Sequence, residues 1–102
     1  MDESGVVGDA GVQSATSASI TILYFARLRE ALGRGSERVA LPLSVTTVEA
    51  LREHLRTRGG AWEVELAVSK SVRVAVNQEL VAPHARIRAG DEVAFFPPVT
   101  GG

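Results

Sequence analysis

The run Glu92-Val93-Ala94-Phe95-Phe96 ends against two prolines, Pro97 and Pro98, and no other feature restricts this chain so tightly. An apolar run of that length reads as a largely buried strand. Neither proline can give an amide to a ladder, so the strand stops at Phe96. The chain then leaves the sheet in a direction set by two rigid rings, and only Val99-Thr100-Gly101-Gly102 remain. A second run, ITILYFA from Ile20, is dense in β-branched and aromatic residues, with Ile20, Ile22 and Tyr24 on one face and Thr21, Leu23 and Phe25 on the other. These two strands, the most apolar of the chain, belong side by side in the middle of a sheet.

The other elements fall between them. RLREALG reads as a short helical turn closed by Gly33, where the missing Cβ permits a left-handed cap. Val39, Leu41 and Leu43 alternate with polar or small residues as a half-buried strand, placed at an edge because it contains Pro42. Thr46-Thr47-Val48-Glu49 has capping-box spacing, with the Thr46 hydroxyl expected to cap and Glu49 to reach back. The helix it opens turns Val48, Leu51 and Leu55 inward, shows Glu49, Arg52, Glu53 and Arg56 to water, and stops at Gly59-Gly60. AWEVELAVSKS is ambiguous between a loop and a short helix. VRVAVN is a strand with Val72, Val74 and Val76 on one face, and Asn77-Gln78 turns it into ELV. Ala89-Gly90-Asp91 is a further turn.

The order strand, strand, helix, strand, short strand, strand is an α+β arrangement, a mixed sheet with a helix packed across one face. That is the β-grasp, the fold of ubiquitin. Residues 1–18 are rich in Gly, Ser and Ala without periodicity and read as a flexible tail, which leaves 19–102 as the one domain.

Composition excludes several kinds of chemistry. Without cysteine there is no disulfide, thiolate zinc site or cysteine nucleophile, which suits the cytoplasm. The tail has acids but no Lys or Arg and no unbroken apolar run, so it does not read as a secretory signal; no stretch is apolar and long enough for a membrane span. With 11 Lys and Arg against 12 Asp and Glu, and one Trp and one Tyr, no basic cluster interleaved with stacking aromatics marks a nucleic-acid surface. His54 and His84 fit no metal pair or triad and read as solvated; Asp91 reads as a turn residue. No metal ligand set and no phosphate loop is present.

Function therefore belongs to the end of the chain. Prolines aim the exit, and Val99 to Gly102 can span about 13 Å when extended. Gly101 and Gly102 have no side chains, so they can thread a narrow channel and deliver a carboxylate to a nucleotide or a pterin.

At this point the chain resembles the small subunits of molybdopterin synthase, a family of ubiquitin-like sulfur carriers. ITILYFARLREALG, AVNQELV and GDEVAFFPPVTGG carry the likeness, which covers about residues 19 to 102. The resemblance implies that Gly102, approached through Gly101, is the reacting end. An ATP-dependent activating enzyme adenylates its carboxylate, a sulfur donor protein's sulfur displaces AMP, and the resulting thiocarboxylate gives its sulfur to cyclic pyranopterin monophosphate inside the large subunit, a heterotetramer being the assembly that the resemblance implies. The chain itself would bind no cofactor. Phe25, Leu80 and Phe96 stand where the family presents an apolar patch to these partners, with Arg29 at its rim and Pro97, Pro98, Val99 and Thr100 as the approach. The same three apolar residues would equally suit a core. A thiazole-synthesis sulfur carrier, a protein-modifying ubiquitin-like tag and a non-covalent binding module share parts of this pattern.

Overall fold

The computed structural model describes residues 18–98. Five strands, β1 (Ser19–Tyr24), β2 (Ser36–Ala40), β3 (Arg73–Val76), β4 (Glu79–Leu80) and β5 (Glu92–Phe96), form one sheet in the order β2-β1-β5-β3-β4. β1 and β5 run parallel at its centre, with Tyr24 beside Phe95. Every other pairing is antiparallel. Helices α1 (Ala26–Leu32), α2 (Val48–Arg56) and α3 (Gly60–Glu65) complete the fold. This is the β-grasp that the element order implied.

Alternation decides what is buried. Ile20, Ile22, Tyr24, Val74, Val93 and Phe95 leave the sheet on one face and join Val48, Leu51 and Leu55 of α2 in a single core. Phe95 is fully buried, which contributes about 2–3 kcal/mol. α1 adds Leu28 and Leu32 and ends at Gly33, whose φ of 76° lets its N–H reach the Arg29 carbonyl.

Three local expectations need correction. Thr47, not Thr46, caps α2: its hydroxyl oxygen accepts from the Ala50 N–H at 3.1 Å, while the Thr46 carbonyl is taken by the Ile87 N–H. With the cap at Thr47 the third helical residue is Ala50, which has no acceptor to return, so no reciprocal box forms. β2 ends at Ala40, because Pro42 accepts from the Val45 N–H in a turn that carries Leu43 into solvent, 98% exposed. Gly59-Gly60 does more than stop a helix. α2 already ends at Arg56, and both glycines take positive φ to start α3, the helix formed by the segment that had been ambiguous.

Long-range polar contacts fix the loops. Arg52 donates to the carbonyls of Leu66, Ala67 and Lys70 at 2.6–2.9 Å, pinning the chain between α3 and β3. Asp91 accepts from the Arg88 N–H and the Asn77 amide, which gives it the turn role expected of it.

Candidate functional site: the open sheet face and the chain exit

The face of the sheet opposite the helices carries an apolar row. Leu23 pairs with Ala94, Ala94 with Ala75, and Ala75 with Leu80, so one line crosses β1, β5, β3 and β4. None of the four belongs to the core cluster; Leu80 is 59% exposed and Leu23 half-buried, while Ala75 and Ala94 between them are buried. One step nearer the chain exit, Phe96 lies opposite Arg73 and is half-buried. Phe25 gives its N–H to the Phe95 carbonyl and is 47% exposed. Phe25, Leu80 and Phe96 are thus brought to the uncovered side of the sheet, and the alternative that they fill a core does not hold for Phe25 or Leu80. Small alanines at the centre keep the row low, and larger side chains stand at its ends, a contour suited to receiving another protein's apolar side chains.

Arg29 is exposed on α1, with its guanidinium folded over Gly35: a Cβ at Gly35 would meet Arg29 Nε at 3.2 Å. That contact holds Arg29 toward the β1–β2 connection. Pro97 and Pro98 are half-buried and carry the chain off the end of β5. Val99, Thr100, Gly101 and Gly102, the residues assigned the chemistry and its approach, lie outside the described residues, as do residues 1–17.

Behind the exit stands a cluster that the sequence reading missed. Tyr24 stacks on Phe95 with centroids 6.1 Å apart and meets Trp62 edge-on at 5.4 Å. The Tyr24 hydroxyl donates to Glu37, which also takes two bonds from Arg58 and one from Arg34. Both arginines cover Trp62, with guanidinium carbons 4.3 and 5.8 Å from its ring centroid. Burial pushes the Glu37 carboxyl up, but hydrogen bonds from Arg58 and Tyr24 and the charges of Arg58 and Arg34 outweigh it, holding the group below the usual carboxylate range. Burial, then the bond to Glu37, pushes the Tyr24 phenol far upward, so it stays a neutral donor. The only sequence signal was a Trp in a segment without a clear period.

Side chains offer little else for chemistry. His54 and His84 are both exposed, and among the described residues no three of His, Cys, Asp and Glu converge as a metal site. No helix among them is long and apolar enough to cross a membrane.

A model of the ThiS family matches residues 22–102. The molybdopterin synthase sulfur carrier subunit of Haemophilus influenzae is 42% identical over 83 residues, 81% of this chain and 99% of that protein. Its Escherichia coli counterpart is 46% identical with the same coverage. The crystal structure of small archaeal modifier protein 1 from Haloferax volcanii superposes with a TM-score of 0.66 at 30% identity, covering 80% of this chain and 99% of that one. The chain belongs to the ThiS family and, with these relatives, to the molybdopterin synthase sulfur carrier subunits.

Proposed function

We propose that this chain is the sulfur carrier of a molybdopterin synthase and that the Gly102 carboxyl is its reacting group. The observation that carries this reading is identity of 42% and 46% to two sulfur carrier subunits, each matched over 99% of its own length. The fold supports it physically: a rigid central strand, held from behind by Tyr24 and Phe95, ends on two prolines beside an open apolar sheet face.

The chemistry is that of an activated acyl group. A carboxylate is a poor electrophile; attack of Gly102 on the α-phosphorus of ATP, in an adenylating enzyme, releases pyrophosphate and makes an acyl-adenylate. Sulfur delivered at the sulfide level by a donor protein adds to that acyl carbon, and AMP departs with the bonding electrons. The thiocarboxylate formed is a nucleophile at physiological pH without any cysteine in the chain. Seated in the large subunit, it passes its sulfur to cyclic pyranopterin monophosphate, and hydrolysis returns the carboxylate. ATP belongs to the activating enzyme, and the carrier works in the cytoplasm with no resident cofactor. Phe25, Leu80 and Phe96 supply the apolar contact with both partners, and Arg29 a polar one at the edge.

Intact mass spectrometry tests this after co-expression with an adenylating enzyme and a sulfur source. The expected product is heavier by the exchange of one oxygen for one sulfur, located at Gly102. An unchanged mass overturns the proposal. Likeness to an archaeal modifier protein favours a second reading, in which Gly102 is joined to lysines of other proteins. Isopeptide-linked conjugates in the same experiment, with no molybdopterin formed on addition of large subunit and precursor, would select it.

A further inference from the structure

Register sorts the charges of the open sheet face. Arg38, Thr21 and Glu92 share one cross-strand row at the end where β1 begins, so a cation and an acid stand there on either side of Thr21. The apolar row from Leu23 to Leu80 follows, and beyond it Phe96 pairs with Arg73 at the end where the chain exits. Glu92 is the only acid among the strand residues of this face, so Arg73 has no acid beside it there. Arg73 is exposed, Arg29 stands at the rim on α1, and neither side chain makes an ion pair or hydrogen bond among the described residues. Glu49 and Glu53 of α2 border the same sheet edge, but Glu53 is held by Arg56 and neither pairs with Arg73. An apolar row with a low centre, next to unpaired cations, suits an occupant that is small, apolar and acidic.

Residues 1–17 have that chemistry. They carry Asp2, Glu3 and Asp9 without Lys or Arg, and Val6, Val7 and Val12 among Gly, Ser and Ala. The family model begins only at residue 22, and two relatives are matched over 99% of their length by 81% of this chain, so the work common to the family gives this segment no task. It joins the sheet at the end away from the exit, where the Leu41 N–H donates to the Ala18 carbonyl at 2.7 Å. Its length fits a return over the face. Leu23 lies about 13 Å along β1 from Ser19, and the six residues back from Ala18 to Val12 can span about 20 Å, which leaves enough for a reversal. Asp9 lies up to about 10 Å beyond Val12, whereas Arg73 is about 7 Å beyond Ala75. A second copy fits less well: stacked face to face about a twofold axis, it lays Ala75 and Ala94 on their own counterparts and leaves the centre unfilled. We infer that residues 6–12 fold back over the open face, with valines on the row from Leu23 to Leu80 and Asp9 toward Arg73, as a cover belonging to the chain itself. Since the proposed function gives this face to the large subunit, the cover competes with that partner, a consequence that rests on that reading.

The test uses the full chain, isotope-labelled for NMR, with one nitroxide on an introduced cysteine, Ala10→Cys, which is unambiguous because the chain has no cysteine of its own. Expected is loss of about half or more of the amide intensity at Phe25, Arg73 and Phe96, a proximity that the effective concentration of a tethered segment sustains. Raised salt, or Asp2→Asn/Glu3→Gln/Asp9→Asn, should restore most of it. Broadening confined to amides around Ser19 and Gly90, broadening over α2, none at all, or broadening passed from a spin-labelled chain to a separate isotope-labelled one would each overturn the cover. Competition has its own measurement. Val6→Ser/Val7→Ser/Val12→Ser alters no charge and should bind the large subunit about threefold more tightly, because the face is then open a larger fraction of the time. Unchanged affinity in that variant would overturn the competition. The NMR result stands whatever happens at Gly102, so failure of the cover and failure of the sulfur chemistry are told apart.

Discussion

The Tyr24 hydroxyl donates to Glu37 Oε2 at 2.6 Å, so the innermost ring of β1 is tied to the neighbouring edge strand at the end of the sheet from which the chain departs. Tyr24 stacks on Phe95 on its other side. One residue thus couples β2, β1 and β5, and Arg58 and Arg34 close the arrangement from the surface by holding the same carboxylate. Placing such order immediately before Pro97 fixes where the final residues start.

Glu37 makes that order dependent on pH. Its folded pKa is depressed, so the unfolded chain binds the proton more readily, and the stabilisation is present above the ordinary value of about 4.5 and is lost as pH falls through the lower folded value. Glu37→Gln should lower stability at pH 7 by about 2 kcal/mol, because it leaves Arg58 and Tyr24 with a weaker acceptor. It should also flatten the acid limb. Urea unfolding at a series of pH values checks both, and an unchanged acid limb in the variant would remove Glu37 from the account.

The cap of α2 gives a sharper contrast. Thr47→Ala should cost about 1 kcal/mol, since the Ala50 N–H loses its acceptor. Thr46→Ala should cost much less, because Thr46 contributes a backbone carbonyl that alanine retains. Thermal unfolding of the two variants separates them, and equal losses would contradict the assignment.

Those adjacent threonines show where sequence stops being legible. Period-two alternation in ITILYFA put Ile20, Ile22 and Tyr24 on one face, and that face is the buried one, because one-sided burial enforces that pattern whatever the surroundings. The Thr46–Thr47 choice is different: both have the hydroxyl, and a distant bond from Ile87 to the Thr46 carbonyl settles the register. Leu43 misled for a similar reason, since its place in an alternating pattern says nothing of the turn Pro42 makes with Val45. Trp62 is held by Tyr24, Arg34 and Arg58, residues 38, 28 and 4 positions away in the chain, and no local period reports such a contact. For the site, the proline-bounded end of β5 at Phe96 was readable, whereas the row from Leu23 to Leu80 exists only through cross-strand register.

Arg52 should prove structural and specific to its geometry. Burial lowers its pKa, and its guanidinium serves three carbonyls at once. Arg52→Ala should cost about 2–3 kcal/mol by leaving those acceptors unmet. Arg52→Lys should recover little, because an ammonium cannot reproduce the planar fork. Hydrogen exchange adds a local readout: amides from Leu66 to Ser71 should exchange faster in both variants. Full rescue by lysine would show that charge alone matters.

The open sheet face predicts separation of binding from folding. Phe25→Ser and Leu80→Ser remove apolar area already in contact with water, so each should change stability by about 0.5 kcal/mol or less. Affinity for the large subunit of molybdopterin synthase should nevertheless fall about tenfold or more, a loss of about 1.4 kcal/mol. Calorimetric titration against the purified large subunit measures it. Wild-type affinity in both variants would place the contact elsewhere.

The chain end allows the strictest test, because it separates the role of the carboxyl from that of the body. Removing Gly101 and Gly102 leaves the core residues and every described strand in place, so melting should match that of the full chain. Sulfur loading should disappear, since the shortened chain presents a β-branched residue, Thr100, where an unhindered carboxylate is required. Gly102→Ala is the finer probe. It keeps a carboxylate and the reach of the tail, adding only a methyl group, and should slow adenylation by an order of magnitude or more if the receiving channel is as narrow as a side-chain-free end implies. Pyrophosphate release by the activating enzyme follows that step directly. Normal release with alanine, together with normal sulfur transfer, would mean that the glycines are not read by the partners and that recognition rests wholly on the sheet face.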